Sequence, residues 1–249
     1  MDSIPLHTLT PVDHALVLLI ALGLPLRAWF GMRSLQATPD MDLARMRVRL
    51  WWRAIATQWL LVAVVLALWV ATHRGWGELG LLLRPTAGLA GVLVGLATIV
   101  SLVVRQRGGL TGDETLRQRV RERLAPVERL MPRGRGEFPL FAALAITAGV
   151  CEELLFRGFL FWYGTQLMPW PVAALLQALA FGLGHVYQGA RGIVLTGFAG
   201  VFFTGVRLVA GSVWPAMLIH ALMDLHAGDL ARKVFPPEPA APGHPPAAA

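Results

Sequence analysis

Charge is scarce in this chain. Only 15% of its 249 residues are Asp, Glu, Lys or Arg, while 55% are hydrophobic, and the mean hydropathy is +0.57. A soluble globular domain carries about 25% charged residues, so a water-soluble enzyme is excluded. Cysteine is nearly absent as well. The single Cys151 can form no internal disulfide and supports no Cys-rich zinc site. The first twelve residues lack a basic start, and the first apolar run is not followed by a small-residue cleavage site, so no cleavable signal peptide is expected. Lysine occurs once, at Lys233, and the other 21 of the 22 basic residues are Arg, giving a net charge of +7. In a hydrophilic chain that surplus would suggest nucleic acid. In an apolar one it marks loops retained on one side of a membrane, and no nucleic-acid partner is expected.

A helix needs roughly 20 mostly apolar residues to cross a bilayer. Seven stretches qualify or come close: Val12 to Phe30, Leu50 to Ala71, Thr86 to Val104, Phe138 to Tyr163, Met168 to Gly184, Gly192 to Ala210 and Ser212 to Leu230. The expected fold class is therefore all-α, a polytopic bundle of about seven spans. The chain divides into a short N-terminal segment (1–11), a three-span scaffold (12–104), an Arg-rich segment (105–137), a four-span core (138–230) and a Pro- and Ala-rich tail (235–249), expected to be disordered. Basic residues cluster after the first, third and fifth stretches and in the tail. Only Arg74, Arg84 and Arg207 fall in loops on the other side. The predicted orientation is amino terminus out and carboxyl terminus cytoplasmic, in the inner membrane. Within the Arg-rich segment, Leu116, Val120, Leu124, Val127 and Leu130 recur at intervals of three and four among arginines, a spacing that predicts an amphipathic helix on an anionic surface, interrupted at Pro126.

The first three stretches have no ionisable residue at their centres, whereas the last four carry Glu152, Glu153, Arg157, His185, His220 and Asp224 at or near membrane depth. Intramembrane charges are costly and mark function by default. At about 100° per residue, Glu153 and Arg157 share one face and are expected to pair, leaving Glu152 free for chemistry. His185 ends the run Phe181-Gly182-Leu183-Gly184, whose two glycines would allow close helix approach. His220 and Asp224 are four apart, so the carboxylate is expected to orient the imidazole. One Glu, two His and one Asp on three helices are suited to activating water. In one version Glu152 is the general base, helped by His185, with His220 and Asp224 on the oxyanion side. In the other, Glu152, His185, His220 and Asp224 are ligands of a divalent metal, zinc by donor type. The chain has no His-Glu-x-x-His, Gly-x-Gly-Asp or Gly-x-Ser-x-Gly motif, which disfavours other intramembrane protease chemistries.

Glu152-Glu153-x-x-x-Arg157, Phe181-x-x-x-His185 and His220-x-x-x-Asp224, in that order, resemble the CPBP family of type II CAAX prenyl proteases and bacteriocin-processing membrane proteins. The resemblance runs from about Leu130 to Leu230. It implies an all-α intramembrane endopeptidase that cleaves a membrane-associated peptide or protein within the lipid bilayer from a cavity in the bundle. It implies Glu152 as the water-activating carboxylate, His185 as its partner, and Glu153, Arg157 and Phe181 as supporting residues. His220 and Asp224 become oxyanion-side residues or ligands. The eukaryotic prenyl proteases carry Asn at the last position, and Asp224 donates a hydrogen bond only if protonated, which favours an orienting or ligand role. The alternative is a non-catalytic scaffold, immunity-type protein or transporter using the same polar cluster. Gly91-x-x-x-Gly95 is compatible with a dimer or with packing inside one chain.

Overall fold

The computed structural model describes residues 9–83, 85–109, 113–134 and 136–235. The expectations for the first eight residues, Arg84, Arg135 and the tail beyond Phe235 lie outside the described residues. Among those described there are eight helices and no strand: α1 (Pro11–Ala37), α2 (Asp40–Ala71), α3 (Ala87–Gly109), α4 (Glu114–Leu124), α5 (Phe138–Leu167), α6 (Trp170–Gly184), α7 (Gly189–Ala210) and α8 (Trp214–Val234). All but α4 fall on the seven apolar stretches. The protein is an all-α membrane bundle. Length and apolarity by themselves qualify α1, α2, α5 and α7 to cross a bilayer; α6 and the apolar part of α3, Ala87–Thr98, are shorter.

Local chemistry explains the helix starts. Thr10 and Asp13 form a reciprocal capping box at α1, which satisfies backbone N–H groups that have no intrahelical acceptor. Proline occupies the first turn of α1, α5, α6 and α8, where its missing N–H costs nothing. Gly211, at φ +67°, ends α7 in the left-handed conformation that glycine adopts without strain. Two helices widen locally into π geometry, α1 over Leu19–Gly23 and α5 over Glu153–Leu160.

α5 is central. It packs against α2 and α8, while α6 packs on α7. The main core joins Leu16 and Ile20 of α1, Val62, Val65 and Trp69 of α2, Leu155 and Phe159 of α5, Phe181 of α6 and Met217 of α8. Apolar rows at helical spacing face outward instead, such as Leu18, Leu22 and Leu26 on α1 and Phe198, Phe202 and Val209 on α7. Outward apolar rows suit a lipid solvent and would be a liability in water. At one end, Asp13 and Arg74 form a buried bidentate pair at 2.7 Å for both bonds, with the guanidinium 4.4 Å from the Trp162 ring centroid. His14 and Tyr163 meet there at 2.7 Å.

Several arginines lie elsewhere than their loop assignment. α2 begins at Asp40, so Arg45, Arg47 and Arg49 sit on its first turns and not in a loop. Arg47 is fully buried and bonds Glu137 at 2.6 Å and the Arg129 carbonyl at 3.2 Å. Arg74 is buried in its pair with Asp13, and Arg207 is buried in the last turn of α7. Their side chains point inward because carboxylates or backbone carbonyls await them there. The spacing in the Arg-rich segment does form a helix, α4, but Leu116, Val120 and Leu124 pack on Leu230, Ala231, Val234 and Phe235 of the carboxyl-terminal end. Protein covers that apolar edge; Arg119 and Arg123 stay exposed. After Pro126 the pattern tightens into a 3-10 turn over Ala125–Leu130, because proline cannot continue the ladder. Gly91 and Gly95 face open space among the described residues.

α5 and α8 approach closely at Gly149, where an added Cβ would lie 2.6 Å from the Ala221 nitrogen. Gly149→Val must part the two helices, and overpacking of this kind costs about 1–3 kcal/mol. The expected result is a lower thermal midpoint in detergent. An unchanged midpoint would show that the contact is not tight.

Candidate active site

Glu152 and Glu153 stand about midway along α5, where the helix widens. A π segment inserts an extra residue per turn and loosens the ladder. The Arg157 carbonyl in this segment accepts from the Arg207 guanidinium, whose other arm donates to the Glu78 carbonyl at 2.7 Å. Arg207 therefore ties the widened turn to the segment after α2. Nothing in the motif spacing pointed to this; the signal was a basic residue following an apolar run with no acidic neighbour.

The two adjacent glutamates have separate partners. Glu153, fully buried, accepts through Oε1 from Arg157 at 2.8 Å and from His220 Nδ1 at 2.8 Å. Arg157, also fully buried, lies 4.0 Å from the Phe181 ring centroid and 5.3 Å from that of Phe203, so its charge is met by a carboxylate and two aromatic faces. Glu152 accepts through Oε1 from Gln58 Nε2 of α2 at 3.0 Å. Its Oε2 is buried, and no donor among the described residues reaches it.

Both histidines have their Nδ1 engaged. His185 sits at the end of α6, and its Nδ1 is 2.9 Å from the Phe181 carbonyl. A carbonyl only accepts, so Nδ1 carries the proton and the neutral ring has its lone pair on Nε2. His220 Nδ1 donates to Glu153, already bound to Arg157 as a carboxylate. Its Nε2 faces Asp224 Oδ2 at 3.7 Å, too long for a hydrogen bond. The residue that orients His220 is thus Glu153 on a neighbouring helix, not Asp224 one turn away as i,i+4 spacing suggests. The 42% exposed Asp224 side chain turns partly outward because Glu153 already holds the ring. Phe181 does two things: its ring lies under Arg157 and its carbonyl fixes His185. Of the two glycines before His185, Gly182 meets α7 closely, 2.6 Å from an added Cβ to the Ile193 oxygen, and Gly184 meets nothing.

Glu152 interacts electrostatically with His220 and Asp224, and His185 with the same two. The four predicted residues therefore share one neighbourhood. Tyr187, which sequence reasoning passed over, joins them, its ring centroid 5.7 Å from that of His185 and its hydroxyl in the fields of Glu152 and Asp224. No three His, Cys, Asp or Glu side chains among the described residues converge closely enough to hold a metal ion.

A bundle of apolar helices enclosing paired glutamates, two oriented histidines and an aspartate is a multi-pass membrane protein with a polar site of acid–base type. Residues 134–226 match the family model described as Rce1-like, type II CAAX prenyl endopeptidase Rce1-like. Over that stretch the resemblance carried by the three motifs is borne out, and it supports, coarsely, a protease-type enzyme with a peptide substrate in a protein embedded in the lipid bilayer. No curated protein and no solved structure matches the chain.

Arg157→Ala leaves Glu153 with His220 as its one hydrogen-bond partner among the described residues. Breaking a buried ion pair by removing one member costs about 3–5 kcal/mol. Lower yield and an earlier unfolding transition in detergent are expected; a variant as stable as the parent would show that the pair adds nothing.

Proposed function

We propose that the protein is an intramembrane endopeptidase in which Glu152 activates water against the peptide carbonyl of a membrane-associated substrate. The observation that carries the reading is Glu152 itself: a mid-helix carboxylate with one oxygen hydrogen-bonded and the other buried and free, in the same electrostatic neighbourhood as two oriented histidines. Glu152 Oε2 takes a proton from water as the oxygen attacks. His185, its Nε2 lone pair left available by the Phe181 carbonyl, relays a proton to the departing amine. His220, held by Glu153, is the ring that stabilises charge developing on the carbonyl oxygen when its Nε2 is protonated. Asp224 supports that cationic form from 3.7 Å. This is a metal-free route. A prenylated carboxyl-terminal peptide, named by the matching family, is the first substrate class to try. The proposed setting is the inner membrane, amino terminus out, because the positive-inside rule assigns the arginine-bearing ends of α1, α2, α3 and α8 to the cytoplasmic side.

Glu152→Gln, His185→Ala and His220→Ala should each abolish proteolysis while the protein still inserts and folds. The check compares membrane peptides from cells carrying each variant or the parent. Full proteolysis by Glu152→Gln sinks the reading and returns the scaffold or transporter alternative. Elemental analysis and chelation of the purified protein address the chemistry: activity should survive chelation, and stoichiometric zinc lost together with activity would replace the metal-free route. Orientation has its own test, because the buried Cys151 is the sole native thiol. A membrane-impermeant maleimide applied to spheroplasts should label Gly75→Cys and spare Thr115→Cys; the reverse pattern inverts the topology.

A further inference from the structure

Gln58 lies on α2, outside the 134–226 stretch that matches the family model. Its side chain is almost wholly buried, and the inward residues of the next two turns, Leu61, Val62 and Val65, are apolar. An amide in such a place is costly unless its groups are bonded. Its Nε2 donates to Glu152 Oε1 at 3.0 Å, and its Oε1 is buried with no donor among the described residues. Glu152 Oε2 is in the same condition. One hydrogen-bonded pair thus presents two buried acceptors, and buried acceptors in native proteins are satisfied by protein or by water. A molecule that donates two hydrogens, as water does, matches them.

We infer that Gln58 is a positioning residue for the hydrolytic water. Its amide N–H locks one oxygen of Glu152 and so turns the other toward the site, while its carbonyl and Glu152 Oε2 are the acceptors that hold water before attack. A packing role does not call for the amide: a buried methionine would fill nearly the same volume and leave no acceptor unsatisfied. This inference rests on the proposal that Glu152 is the base. It also makes α2 part of the active site.

The test combines a stability cycle with a cleavage measurement. Thermal midpoints of the full chain in detergent are compared for the parent, Gln58→Met, Glu152→Leu and the double variant. A real bond makes the effects non-additive, with Gln58→Met costing less once Glu152 is gone. Additive midpoints overturn the inference. Membrane peptides are then compared in cells carrying the parent, Glu152→Gln or Gln58→Met. Gln58→Met should resemble Glu152→Gln. On a substrate identified in this way, its kcat should fall roughly ten- to hundred-fold, the worth of a hydrogen bond to a charged group, with KM within about two-fold, a split that general destabilisation does not produce. If Gln58→Met matches the parent while Glu152→Gln does not, the role of Gln58 is refuted and the catalytic reading stands. If Glu152→Gln also matches the parent, the catalytic reading falls and takes the inference with it.

Discussion

The bundle depends on one shared carboxylate. Glu153 accepts from Arg157 on its own helix and from His220 on α8, so a single oxygen of a buried anion pairs with a cation and fixes an imidazole across an interhelical boundary. Removed from water, each of these groups would be expensive alone. Together they define the rotation of α5 relative to α8, and the Gly149–Ala221 contact sets how near the two backbones come. Phe181 and Phe203 close the arrangement, one from α6 and one from α7, by covering the guanidinium of Arg157.

Adjacent identical residues acquire different tasks through that arrangement. Glu153 is spent on structure, with both its neighbours committed. Glu152 points elsewhere and takes its hydrogen bond from an amide. The widened stretch of α5 begins between them, and Arg207 compensates a carbonyl there. A polar site therefore exists at membrane depth without leaving a string of unsatisfied backbone groups in lipid, the condition that governs every irregular segment in a bilayer.

Much of this was legible in the residues. Long apolar runs located seven helices, because a helix in lipid must be apolar along its length, but they missed the polar ends: α2 starts at Asp40, well before Leu50, and α1 runs past Phe30 to Ala37. The polar positions Glu152, His185, His220 and Asp224 stood out for the same reason, and the structure brings them into one neighbourhood. Harder to read were partners drawn from distant segments. That His220 turns to Glu153, although Asp224 lies one turn away, depends on which helices touch, which i,i+4 spacing does not encode. Gln58 was hidden because an uncharged amide barely lowers the hydropathy of its span. Arg47, Arg74 and Arg207 were counted by position along the chain, and only the folded backbone reveals that carboxylates and carbonyls draw them inward. The family motif begins after α3 and so could not draw attention to α2 at all.

The widened stretch in α5 also sets the phase of the helical turns beyond it. A straight α-helix with the same residues would carry Trp162 and Tyr163 about 100° further round for each residue the widened stretch absorbs. Trp162 would leave Arg74, and Tyr163 would lose His14. The helix thus works as a two-ended shaft with an offset cut into its middle. The part up to the offset is keyed to α8 through Glu153, the part beyond it to α1 through Tyr163 and His14. A change in residue count between 154 and 160 would leave both keys intact chemically but no longer aligned with their slots.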